Sequence, residues 1–329
     1  VMDRTLMILF TGLLLWGNIT SKPFKIEWFV YAQTISYAMT LFTSATIVRI
    51  RSGSFVRLVS FSGSLKILRA SYPFALLLLL MALFNRVDSV MLERLLENGW
   101  EQTGIYAQSY RIFEAATQFS LLFAMLLLPM FSRMIQLKQS VNELIRIALS
   151  LLMAAGLTAA LVSNFYKFEI IDLLYRSEAQ YSSTIFGILM IGFIFISISY
   201  LYGTLLTANH SLRQLNIVAA LTVVLNIGLN LILIPRYQAL GAAISSLVSQ
   251  AFFALVQVVL AIHLLKISKN SDIFIRIALF LVINLIVGYL SQFIPGWIPG
   301  MLLLLAFCIG SSIMLGLIRL SKIMALLKE

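Results

Sequence analysis

The feature that most constrains this chain is the repetition of long apolar runs, each about as long as the 20 residues an α-helix needs to cross a bilayer core. Spans are expected at about 5–20, 28–48, 70–92, 103–132, 145–165, 182–207, 214–234, 239–263, 274–293 and 299–318. A soluble globule is roughly 25% charged; here only 11% of the 329 residues carry charge, 60% are apolar and the mean hydropathy is +0.97. In lipid every backbone polar group must be satisfied internally, which leaves helices or closed barrels. Runs of this length lack the alternation of barrel strands, so the expected fold is all-α, a polytopic transmembrane bundle of about ten spans.

The net charge of +11 raises nucleic acid as a partner, but the cations sit between the spans rather than on one soluble face. Arg49, Arg51, Arg57, Lys66 and Arg69 crowd one connection and Arg133, Lys138 and Arg146 another, whereas the longest opposite loop, about 166–181, holds Lys167 and Arg176. Lysine and arginine bias toward the cytoplasm sets orientation. The expectation is a multi-pass protein of the inner (cytoplasmic) membrane with both termini cytosolic and membrane lipids, not nucleic acid, as its surroundings. The connection 49–69 divides two spans from eight. Phe55, Leu58, Val59, Leu65 and Leu68 are spaced to share one face of a helix lying on an anionic leaflet, while a solvated loop explains the same residues equally well.

Catalytic raw material is sparse. Cys308 is the single cysteine, and His210 and His263 stand far apart, which gives no metal-ligand spacing and no nucleophile with a nearby base. There is no phosphate-binding glycine loop, and the short external loops leave no room for a nucleotide-sugar domain. No enzyme, metal or cofactor is expected.

The informative residues are those that do not belong in lipid. Span 70–92 is interrupted by Asn85, Arg86 and Asp88, and the next span carries Tyr106, Tyr110, Arg111, Glu114 and Gln118 before its apolar run. An Arg or Asp at a helix centre costs roughly 2.5–3.5 kcal/mol on insertion scales. Arg111 and Glu114, three apart, can pair on one helix face. Arg86 and Asp88, two apart, point in different directions, so Asp88 needs a partner on another helix or water. One reading is interfacial snorkelling with helix-to-helix salt bridges. The other is a polar cavity in which Arg86 and Arg111 hold an anionic head group and Asp88 and Glu114 serve as ion or salt-bridge sites. Asn226 and Asn230, four apart, share a face that either bonds across helices or lines a cavity. Gly241, Ala242, Ala243, Ser245 and Ser246 open the following span with small residues suited to close packing.

The segments NRVDSVMLERLL, TGIYAQSYRIFEAATQF, LLLPMFSRM and LLYRSEAQYSSTIFGILMIGFIF, followed by LLTANHSLRQLNIVAALTVVLNIGLNLILIPRYQALGAAISSLVSQ, resemble the polysaccharide-export flippases of the multidrug/oligosaccharidyl-lipid/polysaccharide (MOP) superfamily over roughly 70–265. The family often has a glycine three residues after the proline of Ile234-Pro235-Arg236-Tyr237, where this chain has Gln238. The resemblance implies two six-helix bundles around a cavity that opens alternately to either side to move a polyprenyl-diphosphate-linked oligosaccharide, such as an O-antigen, capsule or exopolysaccharide repeat unit. It implies the domain plan as well. Residues 1–48 would be the last two helices of a first bundle, with about four more expected upstream; 49–69 a basic linker; 70–265 a complete second bundle; and 266–329 two further helices and a tail. Polysaccharide assembly machinery would be the partner. An ion-coupled drug or cation exporter of the same superfamily, and a transport-dead truncation acting as a membrane interaction partner, are the competing expectations. For a diphosphate-linked substrate, Arg86 and Arg111 would hold the diphosphate, since arginine suits it through bidentate donors and permanent charge, and Tyr106, Tyr110 and Gln118 would meet sugar hydroxyls.

Overall fold

The computed structural model describes residues 2–16, 26–52, 61–175, 178–267 and 271–318. Every regular element among them is helical: α1 (Met2–Trp16), α2 (Ile26–Ser52), α3 (Phe61–Leu95), α4 (Gly99–Gln136), α5 (Asn142–Phe165), α6 (Lys167–Leu174), α7 (Ala179–Ala208), α8 (Leu212–Leu265), α9 (Ser271–Ser291) and α10 (Trp297–Met314). Among the described residues, seven helices are long and apolar enough to cross a membrane: α3 from Leu65, α4, α5, α7, α8, α9 from Asp272, and α10. The all-α polytopic reading therefore stands, and the chain is an integral membrane protein.

The chain divides into two compact units, Val1–Ala70 and Ser71–Glu329. In the first, α1 packs on α2, with Ala32 and Ser36 buried. Spans were expected at 5–20 and 28–48; the described part of α1 ends at Trp16, so the rest of the first lies outside the described residues. α2 falls short of the apolarity of those seven helices, diluted by Gln33, Thr34, Ser36, Thr40, Thr43 and Thr46. Ser36, Thr40 and Thr46 each turn their hydroxyl back to the carbonyl four residues earlier, which is how such a helix quiets its own polar groups. The expected linker 49–69 is largely helical at its edges, since α2 runs to Ser52 and α3 begins at Phe61. Its centre, with Phe55, Arg57, Leu58 and Val59, lies outside the described residues.

The second unit is built on a tight α3–α4 turn and a long folded-back α8. At Gly99 a Cβ would lie 2.7 Å from the carbonyl oxygen of Leu92, so glycine lets α4 start directly against the end of α3. α8 spans 54 residues, about 80 Å if straight and far beyond one membrane crossing. It breaks at Gln238, whose backbone is non-helical at φ 53, ψ −133, giving the two arms, 212–237 and 239–265, expected as separate spans. Pro235 cannot donate a backbone hydrogen bond. Past the break, the N–H of Ala239 donates to Oε1 of Gln102 at 3.3 Å and that of Leu240 to the Tyr181 hydroxyl at 3.2 Å. The Tyr181 hydroxyl in turn donates to the Tyr237 carbonyl at 3.1 Å. The corner is thus held by α4 and α7. Gly241 lies so close to the first arm that a Cβ there would sit 2.6 Å from the carbonyl carbon of Leu233.

α7 occupies the centre of this unit, packed on α4, α5 and α8. One apolar cluster joins Leu92, Tyr106, Phe113, Phe186, Leu189 and Ile234 toward the α3–α4 turn, and a second joins Phe131, Leu144, Leu152, Leu201 and Leu205 toward the other end. The segment expected as an external loop contains α6, anchored by Ile171, which is fully buried; Arg176 lies outside the described residues. α9 and α10 dock on α5. The Tyr166 hydroxyl donates to Ser291 at 2.7 Å, Asn284 donates to Ser311 at 3.0 Å, and Arg276 donates to the Leu315 carbonyl at 2.6 Å, capping the end of α10. Cys308 is core filler in that interface.

Candidate functional site

The α3–α4 hairpin sorts the membrane-embedded polar residues into two groups that the sequence placed together. One group faces outward. Arg86 is exposed, its guanidinium 4.0 Å from a carboxylate oxygen of Glu114, with the two side chains 71% and 49% accessible. Arg111, Gln118 and Asn85 are exposed as well, and Tyr110 is half-buried with its hydroxyl donating to the Asn85 carbonyl at 3.3 Å. On α4, Tyr110, Arg111, Glu114 and Gln118 fall within about 100° of arc at 100° per residue, so they form one stripe. The expected Arg111–Glu114 pair is replaced by a bridge between helices, Arg86 to Glu114. The α3–α4 turn brings the long arginine of α3 over the face where Glu114 lies.

The other group faces inward. Asp88 is 3% exposed, about 200° around the helix from Arg86, and it meets only neutral partners among the described residues. Nδ2 of Asn230 donates to it at 2.7 Å and the Tyr106 hydroxyl at 3.0 Å, while Asn226 and Ser246 face the same carboxyl. Asn230 also donates to Oδ1 of Asn226 at 3.2 Å. The partner that Asp88 requires is therefore supplied by α4 and by both arms of α8. These contacts relocate three of the expected ligands. Tyr106, at 1% exposed, and the fully buried Asn226 and Asn230 are turned onto Asp88 rather than toward the outward stripe. The reason lies in the fold. Tyr106 points into the apolar cluster of α4 and α7 and stacks on Tyr110 at a ring separation of 5.5 Å, and the asparagine face of α8 packs inward. Nδ2 of Asn226 and Oδ1 of Asn230 have no hydrogen-bond partner among the described residues, so the cluster retains spare polar capacity.

Sequence reasoning grouped Ser246 with the small packing residues and gave no role to Gln102, Gln250 or Gln257. Ser246 completes the Asp88 shell from the second arm of α8. The signal that would have found it is its spacing to Gln250 and Gln257 on one face of an otherwise apolar helix.

Comparison with known proteins fits this geometry. Residues 3–135, less than half of the chain, match the family model for "Polysaccharide biosynthesis protein". Among solved structures, the lipid II flippase MurJ in an inward closed conformation aligns over 96% of this chain and 65% of its own, with TM-score 0.73 at 16% identity. The chain shares the fold of that flippase. The family match and the segments that carried the resemblance overlap over 70–135. At that identity the structural likeness establishes architecture alone, and the chain spans less than two thirds of the flippase it aligns with. No curated protein matches the sequence.

Proposed function

We propose that this MOP-fold chain works as a flippase for a polyprenyl-diphosphate-linked oligosaccharide, of the kind used for O-antigen, capsule or exopolysaccharide repeat units, in the inner membrane. The observation that carries this reading is the outward stripe of Arg86, Arg111, Glu114 and Gln118. Exposed ionic groups within apolar helices are unfavourable in hydrocarbon by roughly 2.5–3.5 kcal/mol each, and they are tolerable where the helix face borders a water-filled path. Arg86 lies nine residues before the end of α3, about 13 Å along the helix, a depth suited to a diphosphate that has left the head-group layer. The guanidinium groups neutralise the diphosphate, Glu114 keeps Arg86 extended until the anion displaces it, and Gln118 and Tyr110 offer hydrogen bonds to sugar hydroxyls. The polyprenyl tail remains in lipid. Both termini are assigned to the cytosol, on the cation distribution, and polysaccharide assembly enzymes are the natural neighbours.

Asp88 has a separate part in this proposal. A carboxyl buried among neutral donors is stable once it holds a proton or a small monovalent cation, and its ligands come from α3, α4 and both arms of α8. Occupancy then biases how those helices pack, which is the coupling that alternating access needs. The same site supports the reading as an ion-coupled exporter of another cargo, and cargo identity separates the two. The test is flipping of a polyprenyl-diphosphate oligosaccharide in proteoliposomes under defined proton and sodium gradients. Loss of flipping in Arg86→Gln and Arg111→Gln with unchanged protein level supports the diphosphate role. Undiminished flipping in both variants refutes it.

A further inference from the structure

A line of buried polar groups runs away from Asp88 along the seam between α7 and the second arm of α8. Ser246, Gln250 and Gln257 are 2%, 4% and 2% exposed and fall within about 40° of arc on that arm. Ser246 faces the Asp88 carboxyl, and Nε2 of Gln250 donates to Oγ of Ser246 at 3.0 Å. From Ser246 to Gln257 the helix advances about 16 Å, toward the end where α7 finishes and α8 begins.

α7 is shaped to this line. A Cβ on Gly192 would run into Oε1 of Gln250, and one on Gly203 would come 3.4 Å from Oε1 of Gln257. Two glycines on one strip of α7 therefore leave the space that the glutamine amides enter. Ser199 lies on the same strip between them. Three polar atoms of the seam, Oγ of Ser199, Oε1 of Gln250 and Oε1 of Gln257, are buried with no hydrogen-bond partner among the described residues. A buried polar group left unpaired costs about 1–3 kcal/mol, and leucine at either glutamine position would remove the cost. Bonding within the protein leaves these oxygens unexplained, because among the described residues they reach no donor. Water is the usual partner of such groups in protein interiors.

We propose that this seam is a hydrated file, Ser246–Gln250–Ser199–Gln257, through which the Asp88 carboxyl exchanges its proton or small monovalent cation with the 208–212 end of the bundle. The proposal rests on the ion-site reading of Asp88. The file gives that site a route separate from the outward stripe of Arg86 and Arg111, so ion and lipid-linked cargo do not compete for one path. Leakage is limited because the file ends on the carboxyl, behind the α8 corner closed by Gln102 and Tyr181.

The test is cysteine accessibility in the full chain reconstituted into proteoliposomes, in a Cys308→Ala background. Methanethiosulfonate reagents need a thiolate, which forms in water and not in a dry apolar core. Gln250→Cys and Gln257→Cys should react at least about tenfold faster than Leu201→Cys and Leu205→Cys, whose parent leucines are fully buried in the same bundle. Rates at Gln250→Cys and Gln257→Cys equal to those controls overturn the file. If a substitution prevents a monodisperse preparation, hydroxyl-radical labelling of the unsubstituted chain reads the same property. Oxidation at Phe253, half-buried on the seam strip, above that at Phe252, equally half-buried but about 100° around the same arm, supports hydration, and equal oxidation overturns it. Neither readout depends on Asp88. Failure of the ion-site reading shows instead as proton and sodium dependence of stability that is unchanged in Asp88→Asn.

Discussion

Gln238 offers the sharpest test of how the α8 corner is held. Its φ of 53 and ψ of −133 lie where a Cβ is unfavourable and glycine is at ease. Residues held in such regions cost about 1–3 kcal/mol. Glycine relieves that cost but adds about 0.5–1 kcal/mol of backbone entropy to be lost on folding, so Gln238→Gly should stabilise the chain by about 1 kcal/mol net. The side chain of Gln238 is exposed, so Gln238→Ala removes little contact, keeps the Cβ and should stay within about 0.5 kcal/mol of the parent. The difference between the two variants thus isolates the backbone. Reversible unfolding of the purified chain in mixed micelles measures it, with a thermal midpoint about 2 °C higher for the glycine variant as the coarser check. Gln238→Gly no more stable than Gln238→Ala would refute the reasoning, and would mean that the contacts of Gln102 and Tyr181 absorb the strain.

Other expectations test the remaining parts of the structure. Gly241→Ala should destabilise by more than about 2 kcal/mol, read by the same denaturation, because the added methyl meets the backbone of Leu233 and cannot be relieved by a rotamer change. Asp88→Leu should cost about 2–4 kcal/mol by stranding Nδ2 of Asn230 and the Tyr106 hydroxyl, whereas Asp88→Asn should fold and lose any proton or sodium dependence of stability. Arg86→Gln should change stability by only about 0–1 kcal/mol, since its bridge to Glu114 is long and exposed; a larger loss would make Arg86 a structural residue. Cysteines at the exposed positions Gln139 and Gln180 should be labelled by an impermeant reagent from opposite sides of the membrane, and labelling of both from one side would refute the topology.

Fold class was legible from the sequence because the bilayer imposes a length and a composition that few other environments require. Apolar runs of spanning length can only be helices that satisfy their own backbone, and most of them appear as such. The polar interruptions at Asn85, Arg86 and Asp88 were equally visible, since each is costly in lipid. α2 is less apolar than the other long helices, because serines and threonines that bond back to their own helix lower the drive to span. Direction, by contrast, was decided by tertiary structure. Arg86 and Asp88 are two residues apart, and only the α3–α4 turn at Gly99 and the folded-back α8 determine that one faces outward beside Glu114 while the other is sealed among Asn230, Tyr106 and Ser246. Two of these partners of Asp88, Asn230 and Ser246, come from positions more than a hundred residues away, on two arms whose relative placement depends on an unusual backbone at Gln238. Helical periodicity defines which residues share a face, but it carries no information on what that face meets. That depends on which helices pack together.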